Sequence, residues 1–129
     1  VMIGKNDPNV IAILDWELST LGDPCADFNY HCLQYIMNPK LADKDYCRNQ
    51  GIPVIDEYVK MYSEKINVDL TEEWDLYSAY NLFKLAGILQ GILGRVRDGT
   101  AAHENAAERA SGVRNLSDKA WDLVKKNFL

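Results

Sequence analysis

The chain has 129 residues, 47% of them hydrophobic and 26% charged, with a net charge of −5; that is enough for one domain with a core and too little for two. The acidic balance, with Lys125-Lys126 as the densest basic spot, excludes broad nucleic-acid binding, which needs clustered Lys and Arg. Membrane insertion is excluded as well: the longest apolar run, Leu82 to Val96, is broken by Lys84, Gln90 and Arg95, and Val1-Met2-Ile3 is too short for the apolar core of a signal peptide.

In chain order, Val1 to Gly4 reads as a short strand, Lys5 to Asn9 as a turn rich in Asn, Asp and Pro, and Val10 to Leu14 as a second strand. The second strand is continuously apolar, so both of its faces are expected to be covered. This β-hairpin, residues 1–17, delivers Asp15-Trp16-Glu17 at its end. A helical region, 23–129, follows. Asp23 and Pro24 suit the N-cap and first position of a helix that stops before Asn38-Pro39. A short helical piece is expected between Leu41 and Gln50. Gly51-Ile52-Pro53 opens another helix, in which Ile55, Tyr58, Val59, Tyr62 and Ile66 recur at helical spacing. Thr71 is the expected cap of a helix from Glu72 to Arg97. That helix is apolar on most sides between Leu82 and Leu93, which predicts the buried centre of the domain. Gly99 ends it as a left-handed cap, and Thr100 is a candidate cap for the last helix. The last helix carries Val113, Leu116, Ala120, Leu123 and Val124 on one stripe, with a bend at Ser111-Gly112. The fold class is mainly α with a short β-hairpin: one hairpin, then four or five helices.

Cys25, Cys32 and Cys47 fit neither a zinc knuckle nor a CxxC motif, and their number is odd. They read as reduced thiols in an intracellular, reducing compartment, with the cytoplasm as default. Cys25 and Cys32, seven residues apart, can share one helix face as small hydrophobes. The first residue is Val rather than Met, so residue 1 is expected not to be a natural start.

Four carboxylates, Asp15, Glu17, Asp23 and Asp27, fall within 13 residues of a strand–loop–helix junction. They repel one another unless a cation or a hydrogen-bond network holds them. One reading is a metal site, since Mg²⁺ takes one or two carboxylates plus substrate phosphates. The plainer reading leaves Asp15 in a turn, Glu17 solvated and Asp23 as a cap. Trp16 suits a pocket wall as well as a core position. Gly87, Gly91 and Gly94 lie on one side of the long helix and suggest close packing there; the helix uses their N–H groups, so they do not cradle phosphate. Arg95 and Arg97 suit the negative end of that helix, and Arg95 is also a candidate for an anionic substrate tail. His31 reads as a satisfied core histidine. Tyr58, Tyr62, Tyr77 and Tyr80 read as core rings with hydroxyls reaching the surface.

The stretch Val10-Ile11-Ala12-Ile13-Leu14-Asp15-Trp16-Glu17, with Gly22-Asp23-Pro24 and Asp27, resembles the metal-binding segment of aminoglycoside phosphotransferase and choline kinase-like enzymes. Asn49 to Pro53 and Tyr80 to Ile92 resemble the branch that some animal proteins carry fused to an acyl-CoA dehydrogenase. The resemblance covers nearly the whole chain. It implies one partial domain, the C-terminal lobe of a protein-kinase-like fold, beginning just after the catalytic loop. It implies a Mg²⁺/ATP-dependent phosphotransferase whose substrate is a small-molecule hydroxyl. Asp15 then binds the Mg²⁺ that bridges ATP phosphates. Glu17 becomes a candidate second contact with metal or substrate, Asp23 and Asp27 structural support, and Trp16 and Arg95 candidate pocket residues. The family's His-Gly-Asp loop, with an Asn five residues after the Asp, is expected immediately before residue 1. His31 is followed by Cys32 and His103 by Glu104, so neither supplies it. The chain alone is therefore expected to be inactive, with no catalytic residue of its own, and to self-associate through the surface left bare. The alternative is a non-catalytic helical module that binds a partner or supports a fused domain.

Overall fold

The computed structural model describes all residues except Leu18 and Glu104, and all side chains of its helices and strands except those of Arg109 and Phe128. Two strands, β1 (Met2–Ile3) and β2 (Val10–Ala12), pair antiparallel, Met2 opposite Ala12 and Ile3 opposite Val10, with an irregularity between the two pairs. The helices are α1 (Pro24–Met37), α2 (Pro39–Ala42), α3 (Lys44–Asn49), α4 (Ile55–Ile66), α5 (Trp74–Arg97), α6 (Ala106–Arg109) and α7 (Val113–Phe128). The chain is thus mainly helical with a short hairpin, as expected, but the described residues form seven helices rather than four or five, because Asp43 separates α2 from α3 and the chain breaks between α6 and α7.

Short polar side chains set the helix starts. The Asp23 carboxylate accepts from the N–H groups of Cys25 (2.8 Å) and Ala26 (3.4 Å), and Pro24 follows at the first helical position. Asn38 ends α1 and caps α2, and Asp43 ends α2 and caps α3, so three helices follow with almost no connecting chain. Asn67 (φ 55°) closes α4 in the left-handed region, and Gly99 (φ 71°) does so just beyond α5.

Two apolar clusters hold the helices together. Cys25, Phe28 and Cys32 of α1 meet Val59 of α4 and Leu70, with Tyr62 stacked on Phe28 at 3.8 Å between centroids. Leu33 of α1 meets Leu82 and Ala86 of α5 and Leu116 and Ala120 of α7. A polar tie runs between the clusters: Asn29 Nδ2 donates to Ser78 Oγ (2.9 Å), and Asn81 Nδ2 donates to Asn29 Oδ1 (3.0 Å) and to the Ala26 carbonyl (2.8 Å). All three polar residues are buried and paired, as such groups must be. All three cysteines are free and buried, with Cys25 and Cys32 in one cluster as their spacing implies.

Several expectations need correction. The second strand is not covered on both faces: Ile11 is 63% exposed, and Val10, Ile13 and Leu14 are exposed too. Its apolar run signals a hydrophobic strand but nothing among the described residues lies over it. The long helix is buried on one face only: Leu82 is fully buried, whereas Phe83 is 71% exposed and Ile88 is exposed. A Cβ placed on Gly87, Gly91 or Gly94 would meet nothing within 4 Å, so no described element packs closely there. Thr71 bonds Asp69 rather than capping α5, which starts at Trp74. Thr100 bonds back to Arg95, and the predicted bend at Ser111-Gly112 is a full break between α6 and α7. His31 is exposed, with Nε2 3.3 Å from the Tyr58 hydroxyl, and is no core histidine. Among the described residues no helix is long and apolar enough to cross a membrane.

Candidate functional site

The hairpin ends in Asp15, whose backbone lies in the left-handed region (φ 71°). Among non-glycine residues Asp and Asn enter this region most readily, and a residue held there often marks a functional position. The chain on either side is tied locally. Trp16 Nε1 donates to the Ile13 carbonyl (2.6 Å). Ser19 donates to the Trp16 carbonyl from both its N–H (3.0 Å) and its hydroxyl (2.6 Å). Asp15 thus sits at a tight turn with its carboxylate exposed, and no hydrogen bond or ion pair engages that carboxylate among the described residues. Glu17 is exposed in the same turn. Trp16 is 63% exposed, which removes the core reading for it.

Asp23 differs. One of its oxygens caps α1, and the other accepts the Tyr77 hydroxyl (2.7 Å) across 54 residues of sequence. That phenol, then the Cys25 N–H, hold its carboxyl below the usual carboxylate range. The same contact pushes the Tyr77 hydroxyl well above the ordinary tyrosine value. Glu73 approaches the Tyr77 hydroxyl as a second, longer acceptor (3.2 Å). Asp27 lies exposed in the first turn of α1, where the helix dipole favours an acid. Arg95 lies 18 residues beyond Tyr77 on α5, roughly 27 Å along the axis. No described contact joins it to the Asp15 turn.

Among the described residues no group of three or more His, Cys, Asp or Glu side chains converges as a metal cage. Two of the four acids differ in their surroundings: the Asp23 carboxylate is stabilised in its ionised form by a helix end and a phenol, and the Asp15 carboxylate has no such partner among the described residues. That suits a hard cation taking one protein ligand and completing its shell with phosphates and water.

The sequence reading misses Tyr77 and Glu73 as neighbours of the acidic segment, and Asn29, Ser78 and Asn81 as its support. Asn29 and Asn81 carry a signal in retrospect, since both are amides inside otherwise apolar helical stretches. No sequence signal links Tyr77 to Asp23.

The family model described as the phosphotransferase enzyme family matches residues 1–80. Acyl-CoA dehydrogenase family member 10 of Mus musculus is 37% identical over 122 residues, covering 91% of this chain and 11% of that protein. Acyl-CoA dehydrogenase family member 11 of Homo sapiens is 33% identical over 132 residues, covering 99% of this chain and 17% of that protein. A probable acyl-CoA dehydrogenase of Arabidopsis thaliana is 33% identical over 129 residues, covering 93% of this chain and 15% of that protein. The chain therefore spans between 11% and 17% of the length of these relatives. No solved structure matches.

Proposed function

The chain belongs to the phosphotransferase enzyme family, and from that premise we propose that it is part of a Mg²⁺/ATP-dependent phosphotransferase acting on a small-molecule hydroxyl. In this reading residues 1–129 form most of the C-terminal lobe of a kinase-like domain. Asp15 is its metal ligand. The observation that carries the reading is Asp15 itself: an exposed carboxylate with no partner among the described residues, on a backbone in the left-handed region, at the end of the hairpin and inside the family-matching segment.

Mg²⁺ held there would neutralise charge on the phosphates and on the transferring phosphoryl group. The chain's own residues do the rest by positioning. The turn from Trp16 to Ser19 fixes the backbone beside Asp15. Glu17 offers a second oxygen ligand for metal or a contact for substrate. Asp23 and Asp27 anchor the start of α1. Trp16, standing out from the turn, is available as a pocket wall; Arg95 serves an anionic substrate tail only if that tail extends along α5. The proton of the substrate hydroxyl has no acceptor assigned in residues 1–129. In the enzymes this chain resembles, a His-Gly-Asp-x-x-x-x-Asn loop supplies it. The relatives' names support an acyl-thioester setting, and the acceptor class we infer is a hydroxyacyl thioester. Three buried free thiols suit an intracellular, reducing compartment.

Asp15→Asn in the full-length protein tests the reading, and loss of ATP-dependent turnover is expected. Near-normal turnover would remove Asp15 as metal ligand. The exposed Ile11, Leu21, Phe83 and Trp121 support self-association of residues 1–129 by themselves. Light scattering at high concentration checks this, and a strictly monomeric particle would refute it.

A further inference from the structure

We propose that Tyr77 is a positioning residue for the acidic segment, its hydroxyl clamping Asp23 and so fixing the far anchor of the loop that carries Asp15. The inference rests on the metal-binding reading of Asp15 given above.

The loop from Asp15 to Asp23 has little packing of its own: every described residue in it is exposed. Among its described residues, the internal bonds are those of Ser19 to the Trp16 carbonyl and one longer contact from the Thr20 hydroxyl to the Leu21 carbonyl (3.4 Å). The position of Asp15 therefore depends on the two ends of the loop. The near end is the hairpin. The far end is Asp23, and both of its carboxylate oxygens are in use, one on the helix N–H groups and one on Tyr77. The cap alone would tie Asp23 to α1. Tyr77 ties it to α5, the longest element of the fold.

Tyr77 is built to do this. Its ring is half-buried against the Phe28 cluster, and only the hydroxyl reaches the acidic segment. Two other donors grip the first turn of α1: Tyr62 donates to the Pro24 carbonyl (3.3 Å) and Asn81 to the Ala26 carbonyl (2.8 Å). Both act on backbone oxygens within the helix. Of the three, only Tyr77 bonds a side chain of the acidic segment itself. The competing Glu73 acceptor makes the contact sensitive, because one phenolic proton serves two carboxylates.

Tyr77→Phe keeps the ring and its packing and deletes only the clamp. In the full-length protein we expect faster amide exchange across residues 15–26 and a Mg²⁺ requirement for ATP-dependent turnover raised about 10-fold, the lower range for partners that orient a metal ligand. Turnover at saturating Mg²⁺ should be largely kept, which a general loss of structure would not produce. Tyr62→Phe removes a comparable hydroxyl from the same helix turn and should leave the Mg²⁺ requirement unchanged. An unchanged Mg²⁺ requirement in Tyr77→Phe, or an equal shift in Tyr62→Phe, would overturn the proposal while leaving the phosphotransferase reading intact. Absence of Mg²⁺-dependent turnover in the unsubstituted protein would overturn that reading, and this inference with it.

Discussion

The hairpin-and-loop segment, residues 1–22, and the helical body from α1 onward are held by different forces. In the body, α1, α4, α5 and α7 meet through buried apolar side chains and one fully paired polar tie. In the segment, Val10, Ile11, Ile13, Leu14 and Leu21 are all exposed, and order comes from two short strands, one tight turn and a capped helix start. Yet Asp15 and Glu17 stand in this thinly packed segment, while Asp23 and Asp27 belong to the cap and first turn of α1. Packing residues hold a fold through the sum of many contacts, whereas a metal ligand needs only one carboxylate left free. Among the described residues, nothing packs on the exposed Asp15 carboxylate.

Core truncation should separate the two regions most widely. Leu82 is fully buried between α1 and α7, so Leu82→Ala should cost about 2–5 kcal/mol in denaturant unfolding. Ile11→Ala, in the exposed strand, should stay within about 0.5 kcal/mol. Similar costs for both would mean that the strand is covered in solution.

Gly87 sharpens the comparison within α5. It is mid-helix, exposed and open on the Cβ side, so Gly87→Ala should stabilise by about 0.5–1 kcal/mol through helix propensity alone. Thermal unfolding measures it. Destabilisation would show that another surface packs against that face, as the glycine spacing by itself suggests.

The smallest effect concerns the join between the regions. The folded-state pKa of Asp23 lies below its ordinary value of 3.8, so its ionised form stabilises the fold above that pH. The contribution fades as pH falls through the lowered value. Asp23→Asn retains a cap acceptor, so it should be slightly less stable than the unsubstituted chain at neutral pH. The gap should narrow toward pH 3. A gap that widens on acidification would place the lost charge elsewhere. In the opposite direction, burial pushes the Cys32 thiol up to about 12. Its neutral form therefore favours the fold fully below the ordinary thiol value of 9.0, and that contribution is lost as pH rises toward 12.

Much of the body was legible because local chemistry writes it. Asp23-Pro24 and Asn38-Pro39 bracket α1, and Val113, Leu116, Ala120 and Leu123 mark the buried stripe of α7. Burial was less legible. An apolar strand reads the same whether or not a second layer lies over it, which is why Val10 to Leu14 misled. The apolar run of α5 hid the fact that α7 covers one face only. At the candidate site, Asp15 and Asp23 were visible as acids flanking a strand–loop–helix junction. The clamp on Asp23 was not, because Tyr77 reaches it from 54 residues away and no local pattern encodes that contact. The self-contained turn at Trp16 was also invisible, since it depends on an indole N–H and a serine hydroxyl closing on nearby carbonyls.

Asp15 as the ligand of a nucleotide-bound metal is open to one direct test. Calorimetric titration of ATP into the full-length protein and its Asp15→Asn variant, with and without Mg²⁺, tests it most directly. Mg²⁺ should tighten ATP binding in the unsubstituted protein, and this gain should vanish in Asp15→Asn, with the fold intact by circular dichroism. An equal Mg²⁺-dependent gain in both proteins would contradict it and return Asp15 to the role of a turn residue.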